Sequence, residues 1–441
     1  MTEDLPIWWR NLLDNTENFM WRLVQLKITE VRIIVTCPTR NYVVVKILTD
    51  EPGLYGVGDA TLNGRELAVA SILKDHIAPL LIGRDPDQIE DIWQSLFRGP
   101  YWRGGPVQMT ALAGVDIALW DLKGKRAGLP VYSLLGGKTR DGAWAYTHVG
   151  GKEFAEVEDS ARKAMEHGFQ YMRAQVAVPG MAGTYGAGGA AEAASAAWSN
   201  PAAVNQTWGD GGPMPSVERW EPSPYLHIVP RLFAHLRDKL GDKVELLHDV
   251  HERLTPIQAA RLAQELEPFH LFFLEDCLRP ENKDGFRLIR HHSTIPLAMG
   301  ELFHSRWDCL TLITEQLIDY IRCDLGHIGG ITEAKKIAVL AETYQILTAW
   351  HGPGDIGPAV HAANVHLDIS LPNFGIQEMV FFPDQVQEAL PGAPVFRNGR
   401  MYVTDAPGLG TDVNEKVAAK YPYQRSYLPM TRREDGSIHD W

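Results

Sequence analysis

The sequence predicts an α/β fold in which a parallel (β/α) barrel follows a smaller α+β domain. Short apolar runs that end in charged or titratable residues recur at intervals of 21 to 29 residues, with one longer interval of 76 residues. One strand and one helix fit an interval of the shorter kind. The chain has 441 residues, whereas a bare barrel has roughly 250. A second domain is therefore expected.

Eight strands are predicted from these runs. Each closes on one of the following residues: His148, Arg173, Asp249, Glu275, Glu301, Arg322, His351 and Glu378. Between them lie stretches such as PIQAARLAQELEP and ITEAKKIAVLAETY, in which apolar residues recur at helical spacing. Alternating strands and helices are typical of a barrel, and parallel strands would place all eight closing residues on one rim.

The segment before the barrel has a different order of elements. Two β-like runs, ITEVRIIVT and YVVVKILTD, come first, and helical segments such as VQMTALAGVDIALWDLKGKRAG follow. The last of these ends in basic residues and a glycine, as terminated helices do. We therefore predict an α+β domain over 26–140. Residues 1–25 are predicted to form an aromatic arm that packs on another surface, such as a neighbouring subunit.

The barrel is predicted over 141–380. Between Arg173 and Asp249 the chain carries about 50 residues more than one repeat needs, rich in Gly, Ala, Ser and Pro. This insert, at about 177–222, leaves the second strand on the active-site rim and is expected to act as a lid. The last segment, 381–441, is predicted to return to the first domain.

Composition excludes several classes of protein. The formal charge is −13 without a basic run, which argues against nucleic-acid binding. No apolar stretch approaches the roughly 20 residues needed to cross a bilayer. The acidic start MTEDLP lacks the basic region of a signal peptide, so a cytoplasmic protein is expected. The cysteines lack CxxC spacing and are interpreted as reduced core thiols without chemistry. They are Cys37, Cys277, Cys309 and Cys323.

Three acidic residues carry the functional prediction. Asp249, Glu275 and Glu301 are separated by 26 residues each and close successive apolar runs. On one rim they would offer the oxygen ligands that Mg²⁺ prefers. The alternative is that these acids pair with basic residues for stability, although stability is usually served by the opposite end of a barrel. The spacing favours a magnesium site.

Several longer motifs resemble a known family. They are GVGDATLNGRELAVA, IEDIW, YWRGGPVQMTA, DIALWDLKGKRAG, LLGGKTRDG, the HDVHER/FLEDCL/MGELF triplet, RCDLGHIGGITEAKKIA and WHGPGD. From about residue 26 onward the chain resembles the enolase superfamily and, within it, the mannonate dehydratase family. The resemblance implies a modified TIM barrel, (β/α)7β, with an α+β N-terminal capping domain. It also implies a Mg²⁺-dependent lyase that takes the proton α to a carboxylate.

The family's reaction would eliminate the 3-hydroxyl of D-mannonate, D-gluconate or both and give 2-keto-3-deoxy-D-gluconate. Superfamily members with a lysine base carry it at the end of strand two, where this chain has Arg173-Ala-Gln175. The resemblance implies that the base is a tyrosine twelve residues after that arginine. Tyr185 stands at this position. A neighbouring guanidinium favours the phenolate. Tyr185 could instead be a packing residue, and the Asp324/His351 pair is the alternative base.

The general acid is predicted to be His251, which would protonate the departing hydroxide. Its alternative role is a hydrogen bond to Asp249 that orients this carboxylate toward the metal. The family resemblance also implies substrate contacts, with Glu301 touching both substrate and metal. They are Asn63, His148, Glu301, Arg322, His351, Asp355 and Glu378.

One position departs from the efficient members of the family. The resemblance implies alanine at the fourth position of WHGPGD in these efficient members, whereas this chain has Pro353 there. Members that are sluggish or that accept gluconate also carry proline at this position. A rigid ring there could shift His351 and Asp355. A second function therefore stays open, a sensor that binds an acid sugar or lactone with negligible turnover. Trp441 is predicted to close the pocket, and a homo-oligomer is expected.

Overall fold

A computed structural model describes residues 26–179, residue 181 and residues 215–440. The predictions for the aromatic arm, for Tyr185, for Trp441 and for most of the insert lie outside these residues. All structural statements below concern the described part of the chain.

The N-terminal unit is an antiparallel sheet covered by helices. Its three strands follow the chain in the order β1 (Ile28–Thr36), β2 (Tyr42–Thr49) and β3 (Tyr55–Asp59). Its helical segments are Glu66–Ile72, the π-helical turn Leu73–Ile77, Ala78–Leu81, Ile89–Arg98, Pro106–Ala127 and Val131–Leu134. The two predicted β-like runs correspond to β1 and β2.

The longest helix of this unit, Pro106–Ala127, packs directly against β3. A Cβ atom on Gly56 would lie only 1.9 Å from the carbonyl oxygen of Ala118, so glycine is required for the approach. The helix ends at Gly128, whose φ of 67° is left-handed. The predicted helix that closes on a glycine is thus confirmed.

Eight parallel strands form the barrel, and the strand β6 lies outside it. The eight barrel strands, listed with β6 in chain order, are β4 (Ala143–Gly151), β5 (Tyr171–Val176), then β6 (Val217–Arg219) outside the barrel, β7 (Glu245–Asp249), β8 (Phe273–Glu275), β9 (Leu297–Met299), β10 (Tyr320–Ile321), β11 (Leu347–Thr348) and β12 (Gln377–Glu378). The strands pair in the order β11-β10-β9-β8-β7-β5-β4, and β12 pairs with β4. A parallel bridge between Thr348 and Phe374 joins the two ends and closes the ring.

Seven helices connect these strands on the outside. They are Phe154–Glu166, Pro222–Leu240, Pro256–Leu266, Phe286–His292, Arg306–Thr314, Ile331–Thr343 and Pro358–Ser370. Short 3₁₀ segments, Glu267–Phe269 and Pro280–Gly285, precede β8 and the helix at 286. Eight strands with seven connecting helices confirm the predicted (β/α)7β barrel. Inside it, a small apolar cluster fills the floor: Tyr146, Leu247, Phe273, Ala298, Ala349 and Ile376.

The C-terminal segment contacts three places. Helix Asp384–Ala389 and the turn Glu415–Ala418 pack on the first domain, where Val386 and Val413 join a core with Tyr42 and Val57. The hairpin β13 (Val395–Arg397) and β14 (Arg400–Tyr402) extends the barrel sheet at β4. The hairpin β15 (Met430–Arg432) and β16 (Ile438–His439) pairs with β6. This segment was predicted to return to the first domain alone, and it also covers the barrel.

Within the described residues, no helix combines the length and apolar character needed to cross a bilayer. The four cysteines are buried and free.

Candidate active site

Four of the eight predicted rim residues lie where their strands end. His148 and Arg173 were predicted to close their strands, but they lie inside β4 and β5, because these two strands stay paired up to Gly151 and Val176. Asp249 ends β7, Glu275 ends β8 and Glu378 ends β12, while Arg322 directly follows β10. The parallel direction of the strands brings these ends together. Glu301 comes two residues after β9 and His351 three residues after β11, both in the turns above the strands.

The acidic side chains form two overlapping clusters that could each hold a metal ion. Ligand oxygens of Asp249, Glu275 and Asp276 lie within 4.8 Å of one another, and so do those of Glu252, Asp276 and Glu301. The predicted triad is therefore divided between two clusters that share Asp276. Asp276 and Glu252 were not singled out in the sequence, although each stands beside a predicted site residue in FLEDCL or HDVHER.

Backbone turns bring these two additional acids to the site. In a continuing strand, Glu275 and Asp276 would point to opposite faces. Asp276 instead has a φ of 42° and Glu252 a φ of 59°, both left-handed. A residue other than glycine rarely adopts this conformation, and such residues cluster at functional sites. The turns add two carboxylates to those that end the strands.

Burial makes this concentration of acid costly. It raises the pKa of Glu275 to about 8, and raises the pKa values of Asp276 and Glu252 well above their usual range. Asp276 Oδ2 is buried without a hydrogen-bond partner among the described residues. Carboxylates that are packed together need a cation to stay ionised. Because every donor is a hard oxygen, the residues fit Mg²⁺.

Two buried arginines neutralise part of this charge. Arg173 Nη1 donates to Asp249 Oδ2 at 3.0 Å and to Glu275 Oε1 at 3.1 Å. Arg322 contacts Glu275 at 3.0 Å and Glu301 at 2.8 Å. The alternative, in which Asp249, Glu275 and Glu301 pair with basic residues for stability, is thus observed in part. It accounts for neither Glu252 nor Asp276, and the acids at the rim outnumber the two arginines.

Arg322 is fully buried, and protein groups surround its guanidinium. Besides Glu275 and Glu301, it contacts Glu378 Oε2 at 2.5 Å and donates to the Tyr146 hydroxyl at 2.9 Å and 3.2 Å. We predicted that it would bind a substrate carboxylate. A substrate carboxylate would share these donors with Glu301 and Glu378.

Tyr146 was not singled out in the sequence. It lies on β4 two residues before His148, on the same face of the strand, and it links the barrel floor to the rim. Its hydroxyl accepts from Arg322 and donates to Glu275 Oε2 at 3.5 Å. The period-two spacing from His148 was the signal that could have found it.

His148 and Glu378 form a second contact across the barrel mouth. His148 Nε2 lies 2.7 Å from Glu378 Oε1, and its Nδ1 lies 3.3 Å from Arg173 Nη2. Burial, followed by the charge of Arg173, lowers the pKa of His148. A neutral imidazole that accepts from Arg173 and donates to Glu378 satisfies both contacts. Glu378 Oε2 also accepts from the backbone N–H of Gly352 at 2.9 Å.

The alternative catalytic pair is assembled as predicted. His351 Nδ1 lies 2.7 Å from Asp324 Oδ2, and His351 Nε2 lies 3.5 Å from Glu301 Oε2. Burial lowers the pKa of His351, but the charge of Glu301 and the hydrogen bond to Asp324 outweigh it and raise the pKa to about 9. This shift favours the protonated imidazole as long as the charge of Glu301 is not shared with a cation.

His251 reaches the site by a turn. We predicted that it continues strand three on the face of Asp249, but β7 ends at Asp249 and His251 has a left-handed φ of 60°. Its backbone N–H donates to Asp249 Oδ1 at 2.8 Å. Its Nε2 lies 3.8 Å from Glu301 Oε1, so the imidazole borders the acidic cluster. The observed bond to Asp249 comes from the backbone, whereas the alternative role required the side chain.

The remaining predicted contacts join the two domains above the rim. Asn63 Nδ2, from the first domain, donates to Asp355 Oδ2 at 3.0 Å. A contact with His361 holds the loop that carries Asp355. In it, His361 Nε2 lies 2.9 Å from the carbonyl oxygen of Pro353. The Tyr42 hydroxyl donates to the carbonyl oxygen of Gly354 at 3.2 Å. Pro353 therefore sits in a loop fixed from both sides.

Two family models match the chain. Residues 156–417 match the model described as enolase C-terminal domain-like, and residues 23–136 match the mandelate racemase / muconate lactonizing enzyme N-terminal domain. The chain belongs to the enolase superfamily. The predicted membership and the predicted fold, a barrel with a capping domain, are confirmed.

Named relatives are similar over nearly the whole length of this superfamily member. A D-mannonate dehydratase of Sphingomonas sp. (strain SKA58) is 51% identical over 94% of this chain and 100% of its own. A D-galactonate dehydratase family member, RspA of Cellvibrio japonicus, is 48% identical with the same coverage. An enolase from Pantoea ananatis, solved with bound D-gluconate and Mg, is 48% identical with a TM-score of 0.85 and covers 94% of this chain and 100% of its own.

Proposed function

We propose that this chain is a Mg²⁺-dependent hydro-lyase that dehydrates D-mannonate, D-gluconate or both to 2-keto-3-deoxy-D-gluconate. The observation that carries the proposal is the buried carboxylate cluster at the barrel rim, bordered by Arg173, Arg322 and His251. A relative named D-mannonate dehydratase and a structure with bound D-gluconate and Mg are each about half identical to the chain.

Asp249, Glu275 and Glu301 would hold the metal, with Asp276 next to all three. When bound, Mg²⁺ supplies positive charge against the oxygens of the substrate carboxylate, where negative charge develops as the α-proton leaves. Arg173 and Arg322 add fixed positive charge in the same buried space. In such a site these charges need little reorganisation during the reaction.

The proton transfers are assigned to two side chains. Tyr185, as the phenolate, takes the α-proton, and Arg173 stabilises that phenolate. His251 then gives a proton to the departing 3-hydroxyl, which leaves as water. The resulting enol becomes the 2-keto acid by losing the proton of its 2-hydroxyl and taking a proton at the third carbon. His351, held by Asp324 at 2.7 Å, is the second side chain that could exchange a proton at this site.

Hydroxyl groups of the substrate would be bound around this centre. Asp355 and Glu378 accept hydrogen bonds, and Asn63 donates them. His148 would donate its one N–H to the substrate in place of its contact with Glu378. The contact between Asn63 and Asp355 would open or be shared when a substrate enters, because it spans the two domains above the rim.

The test is a screen of acid sugars with the purified chain and Mg²⁺, with semicarbazide used to detect the 2-keto product. We expect product from D-mannonate, D-gluconate or both, and none after EDTA treatment. The sensor alternative predicts the opposite pattern, thermal stabilisation by an acid sugar without product. That pattern would overturn the proposed reaction.

The choice of base is tested separately. Tyr185→Phe should abolish product formation while leaving D-gluconate binding measurable. A variant with unchanged rate would reassign the base to the Asp324/His351 pair, and His351→Asn would then abolish turnover.

We further propose that the protein is a cytoplasmic homo-oligomer in carbohydrate metabolism. The buried free cysteines are consistent with a reducing compartment. Sedimentation of the purified chain tests the oligomer, and a single species at the mass of one chain would contradict it.

A further inference from the structure

A cavity of about 450 Å³ lies beside the candidate active site. Its walls come from the turns that follow β7 and β8 and from the C-terminal hairpin β15–β16. Arg253 and Leu278 form an antiparallel bridge between the two turns. Three segments that are distant in the sequence therefore line one cavity that is open to solvent on one side, and none of the proposed catalytic steps uses it.

Each of these segments contributes an arginine to the cavity. They are Arg253, Arg279 and Arg433, and His439 lines the same space. Arg253 is only 3% exposed, and its guanidinium lies 4.8 Å from the ring centre of Trp220. Glu281 also lines the cavity, and Arg279 forms an ion pair with Asp440. Among the residues that line the cavity, three arginines therefore stand against a single acid, in a chain of net charge −13.

The other lining groups are those that bind a polar small molecule. Asn282 brings an amide, and Gln258 brings the NH2 of its amide, because its Oε1 already accepts from Thr255. Ser437 brings a hydroxyl oxygen as an acceptor, since its proton goes to Asp435 Oδ1 at 2.6 Å. The helix Pro256–Leu266 begins at this wall, so the positive end of its dipole adds to the arginines. Pockets for small molecules usually measure about 300 to 1,000 Å³, which leaves room here for more than a single phosphate ion.

We propose that this cavity binds a small phosphate-bearing polyol, such as a phosphorylated sugar acid. Arginine binds phosphate through paired N–H donors, and arginines from three segments can surround one phosphoryl group. The amides and the hydroxyl would bind the hydroxyl groups of the attached chain. The site stands on its own residues and does not depend on the proposed reaction.

The test is calorimetric titration of the full chain with Mg²⁺ present and ionic strength held constant with NaCl. The probes are inorganic phosphate, 6-phosphogluconate and D-gluconate. We expect saturable binding of 6-phosphogluconate at least tenfold tighter than that of phosphate. Equal affinity for both would overturn the proposal, because the polyol would then contribute nothing, and so would the absence of saturable binding.

Variants locate the binding site. Arg433→Gln and Arg279→Gln should each weaken 6-phosphogluconate binding about tenfold or more, the effect expected from losing a hydrogen bond to a charged group. Arg261→Gln, an exposed arginine of the neighbouring helix, is the matched control and should change nothing. Glu275→Gln disables the candidate metal site and should leave this binding intact. Binding that follows Glu275 but neither arginine would overturn the proposal by placing the ligand at the metal site.

Discussion

Two of the regions in which this protein buries carboxylates treat them differently. At the junction of the two domains, Asp116 accepts from the backbone N–H of Thr332 at 2.9 Å and from its hydroxyl at 2.5 Å. At the barrel rim, Asp276 accepts from the Gly300 N–H at 3.1 Å, but its Oδ2 is without a described partner. The first region satisfies its acids with protein donors.

The difference separates a structural use of acid from a functional one. The junction loses stability if a carboxylate is removed, since its hydrogen-bond donors are then buried without acceptors. The rim carries acids that the protein satisfies incompletely, and natural proteins accept this cost at functional sites. Metal binding should therefore matter at the rim and be irrelevant at the junction.

The largest expected effect is on catalysis at the rim. Glu275→Gln should lower kcat/KM on the accepted acid sugar by about a thousandfold or more, because it removes one metal ligand and one negative charge. It should also abolish the rise in Tm that Mg²⁺ gives the unchanged protein. The measurements are steady-state kinetics and thermal unfolding with and without Mg²⁺.

Glu333→Gln is the matched control for that variant. Glu333 is a buried glutamate paired with Arg306 outside the rim, so its loss should cost stability and leave the Mg²⁺ response unchanged. Equal loss of the Mg²⁺ response in both variants would remove the distinction between the two kinds of carboxylate.

The next effect is on stability at the junction. Asp116→Ala should lower the free energy of unfolding by about 2 to 4 kcal/mol, since two buried donors of Thr332 lose their acceptor. The Mg²⁺ affinity of the folded protein should not change. Denaturant unfolding and magnesium titration measure the two quantities, and a stable variant with weakened Mg²⁺ binding would contradict the comparison.

A smaller effect concerns pH. Burial raises the pKa of Asp116 to about 7 from its usual value near 3.8. The folded state therefore holds this proton more tightly than the unfolded state, and the contribution of Asp116 to stability falls as pH rises from about 4 to 7. Asp116→Asn should make the free energy of unfolding less dependent on pH over this range. Parallel pH profiles for both proteins would refute this expectation.

The smallest effect is expected at Tyr146. Tyr146→Phe removes a hydroxyl that accepts from Arg322 and donates to Glu275, so we expect a loss of about tenfold in kcat/KM. Because the hydroxyl positions groups at the rim, Mg²⁺ affinity should weaken while Tm changes little. A lowered Tm with unchanged Mg²⁺ affinity would show that Tyr146 serves only the floor of the barrel.

Much of this arrangement could be predicted from the sequence, because a parallel barrel converts spacing into position. Apolar runs that recur with one strand and one helix between them must end on the same rim. Asp249, Glu275 and Glu378 therefore end their strands as predicted. The end of the helix Pro106–Ala127 could be predicted in the same way, because it depends only on the left-handed φ of Gly128. Short-range chemistry and one repeat length determined the frame.

Tertiary structure alone decided what completes the site. Left-handed turns at Glu252 and Asp276 bring two more acids to the cluster, and strand alternation would have sent Asp276 away. The contact of Asn63 with Asp355 joins residues 292 positions apart, and no periodicity predicts it. The charge of His351 depends on Glu301 and Asp324, from two other strands. Local sequence determines which residue ends each strand. The charges of the site residues depend on distances between strands, and only the closed barrel determines these distances.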